Sequence, residues 1–140
     1  MPTRSRPLRR RRRSGLIAAI VASAALAPAQ FADVGAVVDA VLQSYRIALE
    51  QKDLDELGVL YVNFSPRQRE ALQEYLDSAD GLNVELSDVS IAPVGEGIAV
   101  SYTRRDTFVD RDSGKPQRLE VRLTKILVLD GNQWKIRGGS

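Results

Sequence analysis

Tyr75-Leu76-Asp77-Ser78-Ala79-Asp80-Gly81-Leu82-Asn83-Val84-Glu85-Leu86 (residues 75–86) is where the chain changes its period. Before it, Leu72, Tyr75 and Leu76 recur at the three- and four-residue spacing of a helix that buries one face. After it, Leu82, Val84 and Leu86 alternate with polar residues, the period of a half-buried strand. Gly81 falls between the two and is expected to cap the helix. Downstream the apolar parity slips to Val89 and Ile91, which predicts a bulge around Ser87-Asp88. Turns at residues 93–97, 110–114 and 130–132 then separate strands over 98–109, 118–129 and 133–137, the last with Trp134 and Ile136 inward.

Upstream of the switch the chain reads as helix throughout. Val34, Val37, Val38, Val41, Leu42, Tyr45, Ala48 and Leu49 form an amphipathic stripe and predict a first helix over about residues 34–51. Asp53, with Glu56 three positions on, starts a short second helix that turns Leu54, Leu57, Leu60 and Tyr61 to one side. Ser65-Pro66-Arg67-Gln68 starts the third, with Ser65 as cap and Pro66 in the first helical position. Three helices followed by a four-stranded antiparallel meander make an α+β domain.

Charge divides the chain differently. Seven of its twenty Lys and Arg residues lie in the first 29 positions (Arg4, Arg6 and Arg9 to Arg13), and no acidic residue precedes Asp33. The other thirteen face eighteen carboxylates, so the remainder of the chain is acidic. An apolar run from Leu16 to Ala22 follows the arginines at once, and small residues lead to Ala27-Pro28-Ala29. A basic start, a short apolar core and an A-x-A ending are the layout of a signal peptide. Residues 1–29 are therefore expected to direct export, with cleavage before Gln30 and residues 30–140 as the working domain. Arg12-Arg13-Ser14-Gly15-Leu16 leaves both the general and the twin-arginine route open. The expected location is periplasmic or extracellular, with the membrane touched only during export. An uncleaved anchor is the lesser alternative, and a nucleic-acid-binding arm is disfavoured by the apolar run.

The chain contains no cysteine and no histidine. Disulfides, thiolate nucleophiles, Ser-His-Asp triads and His- or Cys-ligated zinc are thereby excluded. No metal, cofactor or nucleic-acid partner is expected.

Two stretches carry a resemblance. Tyr45-Arg46-Ile47-Ala48-Leu49-Glu50-Gln51-Lys52-Asp53-Leu54-Asp55-Glu56-Leu57 resembles the first helix and turn of nuclear transport factor two-like domains. Asp130-Gly131-Asn132-Gln133-Trp134-Lys135-Ile136 is similar to their final hairpin. Residues 65–72 and the turn around Ser113-Gly114-Lys115 look like a bacterial branch found as terminal modules of larger proteins, including serine/threonine kinases, and as small exported proteins. The resemblance implies a cystatin-like roll: a strongly curved sheet wrapped around helices into a cone, with a cavity at one end. Its relatives include ketosteroid isomerase, scytalone dehydratase and polyketide cyclases, as well as members without catalysis, so fold alone does not choose the function.

An isomerase of this shape works with an Asp base and with Tyr and a protonated Asp as oxyanion donors, none of which needs histidine. Tyr102, Arg104 and Asp106 share one strand face with Ile98, Val100 and Phe108. If that face lines the cone, Tyr102 and Asp106 are the catalytic candidates, as donor and base, and Arg104 steers an anion. The competing reading is an ion pair at a ligand rim. Among Tyr45, Tyr61, Phe64, Tyr75 and Trp134, most are expected in the core; Tyr45, Tyr61 and Trp134 join Tyr102 and Arg104 as candidate ligand contacts. Arg118, Glu120 and Arg122 form the opposite, charged face, either solvated or a partner surface. The preferred expectation is an exported, non-catalytic module that binds a small apolar ligand or an envelope protein. The alternatives are a cofactor-free isomerase or lyase acting on an apolar cyclic substrate, and a ligand-free homodimer paired through its sheet.

Overall fold

The computed structural model describes residues 28–138. The expected signal segment lies outside them apart from its last two residues. In chain order the elements are α1 (Pro28–Glu50), α2 (Leu54–Leu60), β1 (Tyr61–Val62), α3 (Pro66–Ser78), β2 (Ala79–Val94), β3 (Gly97–Asp110), β4 (Pro116–Asp130) and β5 (Gln133–Arg137).

The stripe on α1 is the centre of the core. Val38, Leu42, Tyr45, Ala48 and Leu49 are all buried, against Leu57 of α2, Leu76 of α3 and the inner face of the sheet. At the end of α1 Lys52 takes a left-handed conformation. Its N–H reaches Leu49 O at 3.0 Å and that of Asp53 reaches Ala48 O at 2.9 Å, the paired bonds of a Schellman cap. Asp53 then accepts from the Glu56 N–H at 3.0 Å, so one residue ends α1 and starts α2. Ser65 caps α3 in the same way, accepting from the Gln68 N–H at 3.1 Å.

Four expectations need correction. Helix α1 begins at Pro28, earlier than the apolar stripe alone indicated. Tyr61 does not extend α2; it opens β1, which pairs in parallel with β5 through Tyr61–Ile136 and Val62–Arg137. The sheet therefore has five strands, is mixed rather than wholly antiparallel, and runs β1-β5-β4-β3-β2. A two-residue strand is too short for any period to show. Gly81 does not cap α3, because β2 has already begun at Ala79. Its positive φ of 63° serves a β-bulge instead, where the register jumps between Asp80 and Asn83.

The second bulge is where the parity slip put it. Register shifts again between Ser87 and Ser90, with Asp88 in the left-handed region. Two extra residues bend β2 as it crosses α1 and α3, whereas the β3–β4 ladder runs without a break from Ile98–Leu127 to Val109–Pro116. The inner face of β3 carries Ile98, Val100, Tyr102 and Asp106, all buried. The outer face carries the charges in cross-strand contact: Arg105 with Glu120 at 3.0 Å and Glu85 at 3.4 Å, and Arg122 with Thr103 Oγ1 at 3.2 Å.

Candidate functional site

Alternation along β3 sends Tyr102, Arg104 and Asp106 toward the helices, where no water layer separates them from α1 and α3. A guanidinium and a carboxylate can enter such a place only as partners. Arg104 folds along its own strand onto Asp106. Its Nε donates to Oδ1 at 2.8 Å and its Nη2 to Oδ2 at 2.6 Å. The two side chains keep 11% and 5% of their surface exposed. Nη1 donates to the Tyr45 hydroxyl on α1 at 2.8 Å, and the Tyr75 hydroxyl on α3 donates to Asp106 Oδ2 at 2.5 Å. The guanidinium carbon lies 5.8 Å from the ring centroids of both tyrosines, within cation–π range. One ion pair thus ties β3 to two helices.

Burial opposes the charge of Arg104, but the hydrogen bond to Asp106 and the surrounding tyrosines hold its pKa above the ordinary arginine value. The Tyr75 hydroxyl is pushed up by burial and then by its bond to Asp106. It stays protonated and remains a donor. Oδ2 accepts from both Arg104 and Tyr75 and Oδ1 accepts from Arg104, so the carboxylate keeps a free lone pair only on Oδ1.

A cleft of about 280 Å³ opens beside this network. Leu72 and Tyr75 of α3, Arg104 and Asp106 of β3, and Leu119 and Val121 of β4 line it. A larger groove of about 480 Å³ runs between α1 and β2, and none of the predicted site residues lines it.

The structure thus brings Tyr45, Arg104 and Asp106 together and places the other candidates elsewhere. Tyr102 is completely buried, with its ring edge-on to Tyr45 at 6.3 Å, and it does not reach the cleft. Its hydroxyl lies near that of Tyr45 but makes no well-formed hydrogen bond among the described residues. Tyr61 lies buried at the start of β1, with Lys125 Nζ 5.9 Å from its ring centroid. Trp134 is half-buried opposite Leu129. Tyr75 is the residue that sequence reasoning left in the core. Its place on the inward face of α3 was legible, but its bond to a carboxylate 31 residues away was not.

A buried hydroxyl without a partner costs roughly 1–3 kcal/mol relative to an apolar group of the same shape. Tyr102→Phe is therefore expected to raise stability by about 1 kcal/mol, read as a higher urea midpoint. A loss of that size would mean the hydroxyl is satisfied by a bound water or ligand.

No family model matches the sequence, nor does any curated protein. Solved structures do match in shape. The fold is that of the nuclear transport factor 2-like superfamily. A superfamily protein from Salmonella enterica serovar Typhimurium superposes with a TM-score of 0.66 at 14% identity, covering 76% of this chain and 87% of that one. A scytalone dehydratase-like protein from Novosphingobium aromaticivorans gives 0.64 at 18% identity, over 76% and 82% of the two chains. A Nostoc punctiforme protein described as having a cystatin-like fold gives 0.59 at 10% identity, over 73% and 84%. In this nuclear transport factor 2-like fold the helices and the inner sheet face enclose the Arg104–Asp106 network. No described helix is long and apolar enough to cross a membrane.

Proposed function

We propose that this chain is an exported binding module that holds a small, largely apolar ligand in the cone of its curved sheet and does not transform it. The observation that carries this reading is the state of Asp106. Its oxygens accept from Arg104 and Tyr75, and those donors are held in turn by packing on β3, α1 and α3. A general base needs a lone pair aimed at the substrate, and the Arg104 and Tyr75 donors already occupy most of those on Asp106. The cleft instead offers apolar walls of Leu72, Leu119 and Val121 with one fixed polar patch, the usual make-up of a site that orients a ligand. Export rests on the basic and apolar layout of residues 1–29.

One observation favours a cofactor-free isomerase or lyase as the second reading. The Tyr75 hydroxyl donates to Asp106 at 2.5 Å on the cleft wall, which sets a phenol and a carboxylate side by side where a bound molecule would lie. Native mass spectrometry of the protein purified from its own cell envelope separates the two. A mature mass beginning near Gln30, with a small molecule that leaves on denaturation and is recovered unchanged after long incubation, is the expected result. Leu72→Glu puts a charge on the apolar wall and should lower occupancy at least roughly ten-fold. Recovery of a chemically altered molecule, with turnover lost in Asp106→Asn, would establish the enzyme instead.

A further inference from the structure

The two long edges of the sheet are treated differently. Along β2 the edge is guarded: two bulges interrupt it, Pro93 removes a donor near its end, and the Val84 N–H is taken by Glu50 of α1 at 3.3 Å. The other edge is guarded only by charged side chains, Arg118, Glu120, Arg122 and Lys125. Strand β5 has five residues and pairs with β4 only from Asp130 back to Leu127. From residue 117 to 125, β4 has β3 on one side and no strand on the other among the described residues. This stretch has no bulge and no proline. Leu119 and Val121 stand about half exposed on its inner face.

The direction of its free backbone groups follows from the ladder. The Val84 N–H points away from β3, which makes Val84–Asp106 a non-hydrogen-bonded pair. Asp106–Leu119 is then a hydrogen-bonded pair, and the N–H and C=O groups of Arg118, Glu120, Arg122 and Thr124 point off the edge. The two-residue hairpin closed by Asp130–Gln133 sets the same parity.

We infer that this edge pairs with a second copy of the chain, antiparallel about a two-fold axis at Val121. That register sets Glu120 opposite Arg122 of the second copy and Arg122 opposite its Glu120. It also sets Leu119 against Leu123, Arg118 against Thr124, and Val121 against itself. The Val121 pair falls at a non-hydrogen-bonded position, while the four outward-facing residues form about eight new backbone bonds. Moving the axis one residue either way sets Glu120 against Glu120 or Arg122 against Arg122, and like charges directly opposite are destabilising. Val121 is also the midpoint of the free edge, so the incoming strand ends where β5 begins. The second copy covers Leu119 and Val121 and completes the outer wall of the cleft. The pairing rests on the strand edge alone, whether or not the cleft holds a ligand.

The chain has no cysteine, so a single introduced thiol reports the register. In the full chain, Val121→Cys is expected to give a disulfide-linked dimer under mild oxidation. Leu119→Cys should not, whereas Leu119→Cys with Leu123→Cys should. Sedimentation of the unmodified chain is expected to show a dimer that Glu120→Arg weakens roughly ten-fold or more, with two like-charge contacts created at once. Glu120→Arg combined with Arg122→Glu should restore it, although Arg105 is then left with Glu85 alone as its partner within the chain. Circular dichroism checks that each variant is folded. A monomeric chain, whether its edge amides exchange freely or are protected by another segment, overturns the proposal. So does a dimer indifferent to the charge exchange, which would place contact on another face.

Discussion

Asp106→Ala should cost about 3–5 kcal/mol, the largest loss expected from any single polar substitution in this chain. The reason is what remains. Arg104 keeps its charge, loses its carboxylate, and sits where only 11% of its side chain reaches solvent. The Tyr75 hydroxyl loses its acceptor in the same step. Urea unfolding at neutral pH, followed by Trp134 fluorescence, measures the loss. Replacing both partners, Arg104→Met with Asp106→Leu, should restore most of it, because two apolar side chains need neither solvation nor each other. The pair therefore selects a geometry more than it supplies net stability. A loss below about 1 kcal/mol for the single change would show that Arg104 swings out through the cleft, and the proposed polar patch would then be mobile.

Alkaline pH should unfold the protein steeply, beginning near pH 10. Burial, more than any neighbour, raises the Tyr61 and Tyr102 hydroxyls well above the ordinary tyrosine value. Below that pH both are neutral in folded and unfolded chains and contribute no slope. Above it the unfolded chain releases protons that the folded chain retains, so stability falls as pH rises. The expected slope is about 1.4 kcal/mol per pH unit for each buried hydroxyl. Lys125 acts in the opposite sense. Burial, and then the Arg104 charge, lower its pKa from 10.5, so its folded form gives up a proton first. Stability therefore rises through that interval before the tyrosines take over. Denaturant midpoints between pH 8 and 12 on the wild type, Tyr61→Phe and Lys125→Met separate these contributions. Tyr61→Phe should flatten the alkaline fall and Lys125→Met should remove the preceding rise. An alkaline limb unchanged by Tyr61→Phe would mean that Tyr61 already meets water.

Much of this architecture is local physics and was legible in the chain. The α1 stripe, the caps at Asp53 and Ser65, and the bulge at Ser87-Asp88 depend on residues within a few positions of one another, and each occurs where its spacing indicated. The alternation that turns Tyr102, Arg104 and Asp106 to one side of β3 was legible for the same reason. What those three side chains do was not. Tyr102 and Asp106 are two turns of one pattern, yet one is sealed under α1 and the other stands on a cleft wall. That difference depends on where α3 stops and where Tyr75 arrives, 31 residues from its partner. The fifth strand escaped for a related reason, since Tyr61 and Val62 become a strand only because Ile136 and Arg137 lie beside them. The open edge of β4 is likewise absent from β4 itself, because it exists only where β5 ends. Periodicity assigns each residue a face. Only the packed chain decides what stands opposite that face, because long-range contacts are set by the summed burial of all the elements and not by any one of them.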